Sequence, residues 1–558
     1  MSGESKNEAI KLESDYLRGS IAAELAEPTT HFEERDVQLL KFHGSYQQEN
    51  RDERAARKAQ GLEKGHDFMI RARVPGGALG AQTYLALDEL ASRYANGTLR
   101  ATTRQGFQFH GVLKGNLKAT IRGINDALLS TLAACGDVNR NVMACPAPLH
   151  DRAQAHISEI AHDIAMHLAP QTHAYHEIWL DGEKVAGPDE EPIYGPAYLP
   201  RKFKIGIAFP PDNCIDVYTQ DIGLAAAVEG GKVAGFTVLV GGGLGMTHNK
   251  PNTYPRAATP LCFASTDEVR EVVEAIVKVQ RDNGDRVDRR HARMKYLVEE
   301  RGIAWFRGEL ESRLGRAVAD PRPIAWDGVD DHLGWHEQTP QTSFLGIYIE
   351  NGRIKDDGIR RLRSGLRAAV ERFRPEIRMT GQQNILLTGI RNEDCAALEA
   401  LLAGYGIETD PRKLGVLRDA MACPAMPTCG LAVAESERVL PSIIREIQQD
   451  VDELGLGDKR ISIRMTGCPN GCARPYMGDI GIVGRSAGLY DVLVGGDWEN
   501  TRLNTLYRKA VKVADLRAMI RNLLQVWKAR RNDGERFGDF FHRVGFDEEQ
   551  WVAASPSG

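Results

Sequence analysis

The stretch LRATTRQGFQFHG at residues 99–111 occurs a second time in this chain, in altered form, as IRMTGQQNILLTG at 377–389. The two stretches are separated by an offset of 278 residues, and at the same offset MACPAP (143–148) aligns with MACPAM (421–426). Two separate matches that share one offset indicate an internal duplication, which sets the frame in which every other motif is interpreted.

A second pair of matches extends the duplication. DIGLAAAVEGG (221–231) parallels DIGIVGRSAG (479–488) at an offset of 258, which places Cys214 opposite Cys472. Just beyond, TVLVGGG (237–243) resembles DVLVGGD (491–497). The shorter offset indicates that the second copy has lost about twenty residues. We therefore interpret the chain as two copies of one α/β module.

The hydrophobic patterns predict a mixture of strands and helices. Alternating runs predict strands at 68–74, 345–350 and 461–467, and apolar residues at helical spacing predict helices at 265–284, 440–457 and 513–531. The mixed order of these elements favours an α+β fold with antiparallel or mixed sheets over a doubly wound parallel sheet. Residues 1–66 are highly charged and low in strand signal, and we expect them to form an arm wrapped on the body.

Composition excludes some classes of protein. The 558 residues carry a formal net charge of −5, without a strongly basic domain, which argues against a nucleic-acid partner. No apolar run approaches the roughly 18 residues that span a bilayer, so we expect no membrane association. The N-terminal residues are polar and lack the apolar run of a signal peptide, so we expect a cytoplasmic location.

Four of the nine cysteines form two close pairs within the second copy. Cys423 and Cys429 have five residues between them, and Cys468 and Cys472 have three. Structural zinc favours tighter knuckles with two intervening residues, and a disulfide is rare in a reducing compartment. Prolines and glycines around the thiols indicate loops, which suit the four ligands of a [4Fe–4S] cluster. From the residues alone, a cluster, a zinc ion, a disulfide and free buried thiols all remain open.

The same residues bring a known family into view. CPAMPTC (423–429) and MTGCPNGCARP (465–475) resemble the sirohaem-and-cluster signature of the sulfite and nitrite reductases. Further stretches, among them FHGSYQQENRDERAARK (42–58), RATTRQGFQFHG (100–111) and YLPRKFKIGIAFPPDN (198–213), are similar to haemoprotein subunits of assimilatory sulfite reductases. The resemblance covers nearly the whole chain, and that family is built from two pseudo-symmetric halves.

The resemblance implies a ligand set, a domain arrangement and a reaction. Cys423, Cys429, Cys468 and Cys472 would bind the [4Fe–4S] cluster, and Cys472 would also be the axial ligand of the sirohaem iron. The reaction would be the six-electron reduction of sulfite to sulfide, within sulfate assimilation and cysteine biosynthesis. The implied segments are an N-terminal arm (1–66), a ferredoxin-like half-domain (67–145), a sirohaem-binding α/β domain (146–335), a second ferredoxin-like half-domain (336–412) and a second sirohaem domain with the cysteines (413–558).

Four basic residues match the family's substrate pocket: Arg71, Arg140, Lys202 and Lys204. Reduction of sulfite needs fixed positive charge to bind the anion and N–H groups to deliver protons. Lys202 and Lys204 lie two apart in an extended segment, so both can point to one face. Related nitrite reductases commonly have asparagine at the position of Lys204, which favours sulfite as the preferred anion.

The resemblance also implies contacts to the carboxylates of sirohaem, and it leaves the electron donor outside the chain. The cofactor contacts would come from Arg100, Arg104, Gln108 and His110 along one strand face, and from Asn470 beside the ligand cysteines. VGGGLGM (240–246) lacks the spacing of a dinucleotide loop. We therefore expect a flavoprotein partner that oxidises NADPH. A ferredoxin-dependent sulfite or nitrite reductase is the alternative, and a zinc-stabilised scaffold without enzymatic activity is a third.

Overall fold

The computed structural model describes residues 3–148, 151–171, 178–180, 183–186 and 191–546. Residues 547–558, the end of the last predicted segment, lie outside this description. Helices and mixed sheets alternate along the chain, which confirms the predicted α+β class. Within the described ranges, no helix combines the length and apolarity needed to cross a bilayer.

The first half of the chain, up to residue 333, supplies ten helices and twelve strands within the described residues. The helices are α1 (Lys6–Leu12), α2 (Ile21–Ala26), α3 (Glu34–Leu40), α4 (Arg54–Ala59), α5 (Ala81–Tyr94), α6 (Leu117–Asp126), α7 (Asp151–His167), α8 (Val269–Asn283), α9 (Met294–Arg301) and α10 (Ile303–Leu314). The strands are β1 (Ser45–Glu49), β2 (His66–Ala72), β3 (Ala78–Leu79), β4 (Leu99–Ala101), β5 (Phe107–Val112), β6 (Met143–Ala144), β7 (Ile178–Leu180), β8 (Glu183–Ala186), β9 (Ile205–Ala208), β10 (Ile222–Glu229), β11 (Lys232–Val240) and β12 (Thr259–Ser265).

The second half follows the same pattern with fewer helices. Its helices are α11 (Leu362–Phe373), α12 (Cys395–Gly404), α13 (Leu440–Glu453), α14 (Leu516–Arg530) and α15 (Phe537–Val544). Its strands are β13 (Gly334–Thr339), β14 (Thr342–Ile347), β15 (Arg353–Ile354), β16 (Asp356–Asp357), β17 (Arg360–Arg361), β18 (Glu376–Met379), β19 (Ile385–Arg391), β20 (Met421–Ala422), β21 (Ile463–Thr466), β22 (Ile480–Ser486), β23 (Leu489–Val494) and β24 (Thr505–Lys512).

Within the described part of the chain, four five-stranded sheets form two matching pairs. The orders β12-β11-β10-β9-β6 and β24-β23-β22-β21-β20 are the same in the two copies. The other pair, β1-β2-β5-β4-β15 and β13-β14-β19-β18-β3, exchanges its last strands between the copies. Arg353 of β15 lies opposite Arg100 of β4, and Ile377 of β18 lies opposite Leu79 of β3. The two halves are therefore interlocked through backbone hydrogen bonds.

Hydrophobic burial joins the halves at the exchanged sheets. One continuous core contains buried residues of β2, β4, β5 and α5 together with residues of β14, β18, β19 and α11. Each of the other two sheets has a core formed mainly within its own copy, around α8 in the first and α13 and α14 in the second. Because burial of apolar surface drives folding, the shared core fixes the copies relative to each other.

The duplication extends to backbone conformation at corresponding corners. Asp216 and Arg474, which are related by the offset of 258, both have a φ of 52°. Each precedes a short 3-10 turn, Val217–Thr219 in the first copy and Pro475–Met477 in the second. A left-handed conformation is uncommon for residues other than glycine, so its occurrence at both corners reflects a shared loop design.

Three local predictions differ from the structure. The segment 1–66 does contain a strand, because β1 pairs with β2 and places Ser45 opposite Ile70. Residues 99–111 form a hairpin of β4 and β5, not one continuous strand. The predicted helix at 265–284 begins only at Val269, since the hydroxyl of Ser265 donates to the Glu268 carboxylate (2.7 Å) and does not cap the helix.

Candidate active site

The cysteine quartet lies on two loops that leave the same edge of one sheet. Strands β20 and β21 are parallel neighbours, with Met421 opposite Arg464. Cys423 follows β20 directly, and Cys468 follows β21 by two residues. All nine cysteines of the chain are free, so the structure excludes a disulfide within the quartet. The parallel pairing therefore brings together two cysteine pairs that are about 40 residues apart in sequence.

Hydrogen-bond donors surround the sulfur atoms. The Gly467 N–H donates to Cys423 Sγ (3.3 Å), and the Asn470 side-chain amide donates to Cys468 Sγ (3.5 Å). Gly471 has a φ of +65°, and a Cβ there would lie 2.8 Å from the ring of Tyr476. Hydrogen-bond donors to sulfur, such as the Gly467 N–H and the Asn470 amide, stabilise thiolate ligands and tune the potential of an iron–sulfur cluster.

The thiols have raised pKa values in the protein alone. Burial, reinforced by the neighbouring thiols, raises the pKa of Cys423 well above its ordinary value and that of Cys468 to about 12. Burial likewise raises the pKa of Cys429. Cys472 is the exposed member of the quartet. A metal centre would therefore have to displace protons from these three thiols, as metal binding to cysteine generally does.

The quartet suits a cluster better than a single ion. A zinc ion bound by four thiolates at about 2.3 Å requires sulfur atoms roughly 3.8 Å apart. Among the described residues, the one group of three or more potential ligands that lie within 4.8 Å of one another lies elsewhere, at Cys145, Asp212, Cys214 and His332. The four thiols on loops, with amide donors to sulfur, fit the donor set of a [4Fe–4S] cluster.

The four predicted cations, Arg71, Arg140, Lys202 and Lys204, all come from the first copy. Lys202 and Lys204 lie just before β9, and Arg71 lies on β2. The Arg140 N–H donates to the carbonyl of Phe203 (3.0 Å), which places Arg140 beside the two lysines. The structure therefore brings Arg140, Lys202 and Lys204 together. Arg104 feels the charges of both Arg140 and Arg71, because these charges and burial lower its pKa. Arg71 therefore belongs to the same positively charged region.

Crowding of like charges lowers the pKa values of both lysines. Burial and the charge of Arg140 lower the pKa of Lys202 to about 7, whereas a thiolate at Cys472 acts in the opposite direction. Burial and the charge of Arg104 lower the pKa of Lys204 well below its ordinary value. The first copy thus presents an excess of positive charge within electrostatic reach of Cys472, which is the condition that favours a bound anion.

The predicted sirohaem contacts divide into two groups. Arg100 lies directly opposite Gln108 in the β4–β5 hairpin, so the two side chains share a face by pairing and not by alternation. Arg100 donates to the carbonyl of Ala422 (2.9 Å), the residue before Cys423, and so supports the cluster strand. With its side-chain amide oriented so that the oxygen faces the guanidinium of Arg71, Gln108 accepts from Arg71 Nε (3.2 Å).

Arg104 and His110 retain unsatisfied polar atoms. Arg104 donates to Gln220 (2.8 Å) and to the carbonyl of Ile205 (3.1 Å), but its Nε has no hydrogen-bond partner among the described residues. The same holds for Arg140 Nε and for both ring nitrogens of the buried His110. Unpaired buried polar groups are costly, so these atoms indicate a polar ligand with many acceptors. The carboxylates of sirohaem meet that requirement.

Sequence reasoning missed several charged residues of this region. Arg293 makes two-point contacts with the buried Asp221 (2.8–3.1 Å). Lys295 donates to the carbonyls of Gly243 (3.0 Å) and Gly245 (2.8 Å), and burial together with Arg293 lowers its pKa to about 6. No motif marked these residues, because they lie about 50 residues from the glycines that they hold.

The glycine-rich loop at 240–246 has a packing role. The Met246 N–H donates to the carbonyl of Pro469 (2.9 Å), and a Cβ on Gly245 would lie 3.2 Å from the carbonyl oxygen of Asn470. The loop therefore lies directly against the turn between Cys468 and Cys472. Close approach of two backbones explains these glycines.

An ion pair joins the corresponding corners of the two copies. Asp216 pairs with Arg474, two residues after Cys472, and both side chains are buried. Asp216 also accepts from Asn500, and Thr103 donates to the carbonyl of Cys472 (3.1 Å). The offset of 258 residues relates Asp216 to Arg474, and this was the signal in the sequence that could have predicted the pair.

Comparison with known proteins identifies the family of the chain. The family model of the nitrite and sulphite reductase 4Fe-4S domain matches residues 161–318 and 415–552, and that of the nitrite/sulfite reductase ferredoxin-like half domain matches 60–127 and 336–405. The sulfite reductase [NADPH] hemoprotein beta-component of Geobacillus thermodenitrificans is 48% identical over 97% of this chain and 96% of its own length.

Two further relatives differ in what their names state. The sulfite reductase [ferredoxin] of Synechococcus elongatus is also 48% identical, over 97% of this chain and 90% of its own. The structure of the Mycobacterium tuberculosis NirA protein superposes with a TM-score of 0.79 at 24% identity, covering 98% of both chains, which shows the same fold. The chain therefore belongs to the nitrite and sulphite reductase family, a family of oxidoreductases whose cofactors are sirohaem and a [4Fe–4S] cluster.

Proposed function

We propose that this chain is the haemoprotein subunit of an assimilatory sulfite reductase, which reduces sulfite to sulfide with six electrons. The observation that carries the proposal is the group of like charges at Arg140, Lys202 and Lys204 within electrostatic reach of Cys472. Sulfite is a small oxyanion, and buried lysines whose pKa values are lowered by burial and by neighbouring cations are stabilised when such an anion binds.

Cys423, Cys429, Cys468 and Cys472 would hold the [4Fe–4S] cluster, with Cys472 shared with the sirohaem iron. The exposure of Cys472, beside three more enclosed thiols, supports this assignment of the shared ligand. When bound, the coupled cofactors supply single electrons to one reaction centre. Arg100, Arg104, Gln108, His110 and Asn470 would hold the cofactors, and the unsatisfied atoms of Arg104 and His110 support the carboxylate contacts.

The cations of the first copy would bind the substrate and deliver protons. Arg71 and Arg140 would hold the anion with permanent charge, since a guanidinium stays protonated at all relevant pH values. Lys202, with a pKa of about 7, can donate a proton near neutral pH and recover it from water. Each oxygen of sulfite that leaves as water consumes protons, so a residue that titrates near neutrality suits this task.

The electrons would come from a separate protein, which we propose is a flavoprotein that oxidises NADPH. The relative from Geobacillus thermodenitrificans is named as the hemoprotein component of an NADPH enzyme, which supports this donor. The equal identity to a relative named for ferredoxin supports the alternative donor. The cytoplasmic location stays a prediction.

Steady-state kinetics of the purified holoenzyme test the proposal. Sulfite and nitrite are each supplied with a reduced flavoprotein and with reduced ferredoxin, and kcat/KM is measured for the four combinations. We expect the largest kcat/KM for sulfite with the flavoprotein. A larger value for nitrite would contradict the substrate, and a larger value with ferredoxin would contradict the donor. Sulfide is quantified as the product in each case.

A further inference from the structure

The first copy contains a cluster of potential metal ligands that is separate from the cysteine quartet of the second copy. Cys145 Sγ, Cys214 Sγ, a carboxylate oxygen of Asp212 and a ring nitrogen of His332 all lie within 4.8 Å of one another. Cys214 is fully enclosed, Cys145 and His332 are each 5% exposed, and Asp212 is half-buried. The proposed reaction uses none of these side chains.

Three distant segments converge on this cluster. Cys145 follows β6 and donates its N–H to the carbonyl of Ile207 (3.1 Å) on β9. Asp212 and Cys214 lie in the loop that follows β9, and His332 lies between α10 and β13. Backbone contacts hold the last two segments together without any ligand, because Asn213 N–H donates to the carbonyl of Gly328 (2.9 Å). The donors are therefore brought together by the fold itself.

The duplication gives the cluster a defined relation to the quartet. Cys145 corresponds to Cys423 at the offset of 278, and Cys214 corresponds to Cys472 at the offset of 258. The same second offset places Asp212 opposite Asn470. The first copy therefore keeps two of the four thiols, and Asp212 together with His332 completes a set of four donors at closer spacing.

We propose that Cys145, Asp212, Cys214 and His332 bind one zinc ion as a closed, structural site. Zinc in proteins is held tetrahedrally by sulfur, imidazole nitrogen and carboxylate oxygen, at about 2.0–2.3 Å from each donor. These lengths place the donors roughly 3.3–3.8 Å apart, so no two donors of the observed group need to approach each other by more than about 1.5 Å. Two thiolates favour zinc over the harder divalent ions, magnesium and calcium.

The hydrogen bonds of the cluster show what a metal ion would replace. His332 Nε2 lies 2.9 Å from Asp212 Oδ2. Hydrogen bonding from Cys214 and His332 lowers the pKa of Cys145 to about 6, and the same thiol–thiol contact raises the pKa of Cys214. A zinc ion would replace these contacts with bonds to the same four side chains.

The location gives the ion a structural role. The loop that carries Asp212 and Cys214 continues to Asp216, whose carboxylate pairs with Arg474 beside the cysteine quartet. The carbonyl of Gly381 also accepts from Arg474 (2.8 Å). A zinc ion at the start of this loop would fix the surface against which the loop of Cys472 packs.

Metal analysis of the full-length holoenzyme tests the proposal without any variant. The protein is purified without a histidine tag from cells grown with zinc, and elemental analysis is combined with X-ray absorption at the zinc edge. We expect about one zinc ion per chain in addition to iron, with two sulfur ligands at about 2.3 Å and two nitrogen or oxygen ligands near 2.0 Å. A zinc content below about a tenth of an equivalent, or a site without sulfur ligands, would overturn the assignment.

Variants then locate the ion. His332→Gln and Asp212→Asn are expected to lower the zinc content at least about fivefold, because each removes one of four ligands. Cys262→Ser, which changes another buried cysteine of the first copy, is the matched control and is expected to keep its zinc. Zinc retained in both ligand variants would refute the site. The site would also be refuted if the masses of wild-type peptides showed a disulfide between Cys145 and Cys214.

Discussion

The two copies of the module share the strand order of their main sheets and differ in chemistry. After β21 the second copy presents thiols, at Cys468 and Cys472, whereas the segment before β9 in the first copy presents the cations Lys202 and Lys204. In the second copy the corresponding positions are Arg460 and Ser462. The Arg460 guanidinium pairs with the Asp419 carboxylate (2.6 Å), and the Ser462 hydroxyl donates to the Asp479 carboxylate (2.8 Å). The two copies thus share one scaffold, in which the proposed anion site belongs to the first copy and the proposed cluster site to the second.

The largest effect on activity is expected from removing a thiol of the cysteine quartet. Cys472→Ser removes the proposed shared ligand, so we expect the loss of cluster iron and acid-labile sulfide and a fall in sulfite reduction of at least about a thousandfold. The visible spectrum, iron content and sulfide release of the purified variant measure this. Cys262→Ser is the control for a buried cysteine outside the site. Full iron and sulfide in Cys472→Ser would contradict the ligand assignment.

The next largest effect is expected from breaking the ion pair between the two copies. Asp216→Asn leaves the buried guanidinium of Arg474 without its partner, which for buried pairs costs about 3–5 kcal/mol of stability. We expect a clearly lower midpoint of thermal unfolding, followed by circular dichroism. The double variant Asp216→Asn, Arg474→Gln should lose less than the sum of the two single variants, because neither partner is left charged and alone. Strictly additive losses would show that the pair does not couple the halves.

Weakening the cation side should alter substrate choice without loss of the cofactors. Lys204→Asn removes one positive charge, and we expect the ratio of sulfite to nitrite kcat/KM to fall about tenfold, equivalent to about 1.4 kcal/mol. Iron content should stay at the level of the wild type. Lys232→Asn, at an exposed lysine in β11, is the matched control. An unchanged ratio would remove the reason for assigning sulfite specificity to Lys204.

The smallest effect concerns pH. Because the pKa of Lys202 is lowered to about 7, its charge is present below pH 7 and is lost as the pH rises above it. The wild-type kcat/KM for sulfite should therefore fall above pH 7, by about fivefold between pH 7 and pH 8. Lys202→Arg keeps its charge over this range, so the ratio of variant to wild-type kcat/KM should rise with pH.

Comparison of the two pH profiles isolates Lys202, because protonation of sulfite itself affects both enzymes equally. Profiles that remain parallel from pH 6 to pH 9 would show that Lys202 does not titrate in the working enzyme. A bound anion raises the pKa of a neighbouring ammonium group, so the break in the kcat profile, which reports the occupied enzyme, should lie at higher pH than the break in kcat/KM, which reports the free enzyme.

The alternating and helical patterns predicted the main elements well, and they failed where pairing decides the structure. The predicted helices at 440–457 and 513–531 are confirmed as α13 and α14. Strand exchange between the halves was not predictable, because β3 and β15 are two residues long and carry no periodic signal. The face shared by Arg100 and Gln108 was predicted from alternation in one strand, but it arises from cross-strand pairing in a hairpin.

The sequence by itself determined the duplication and the cysteine quartet, because repeats and ligand spacings are properties of the order of residues. The candidate cations came from the resemblance of the sequence to a known family. Only the tertiary structure decided which charges meet. It paired Asp216 with Arg474 across the two copies, and it brought Cys145, Cys214 and His332 together. Contacts between residues more than a hundred positions apart depend on how sheets pair and cores pack, and no local pattern encodes them.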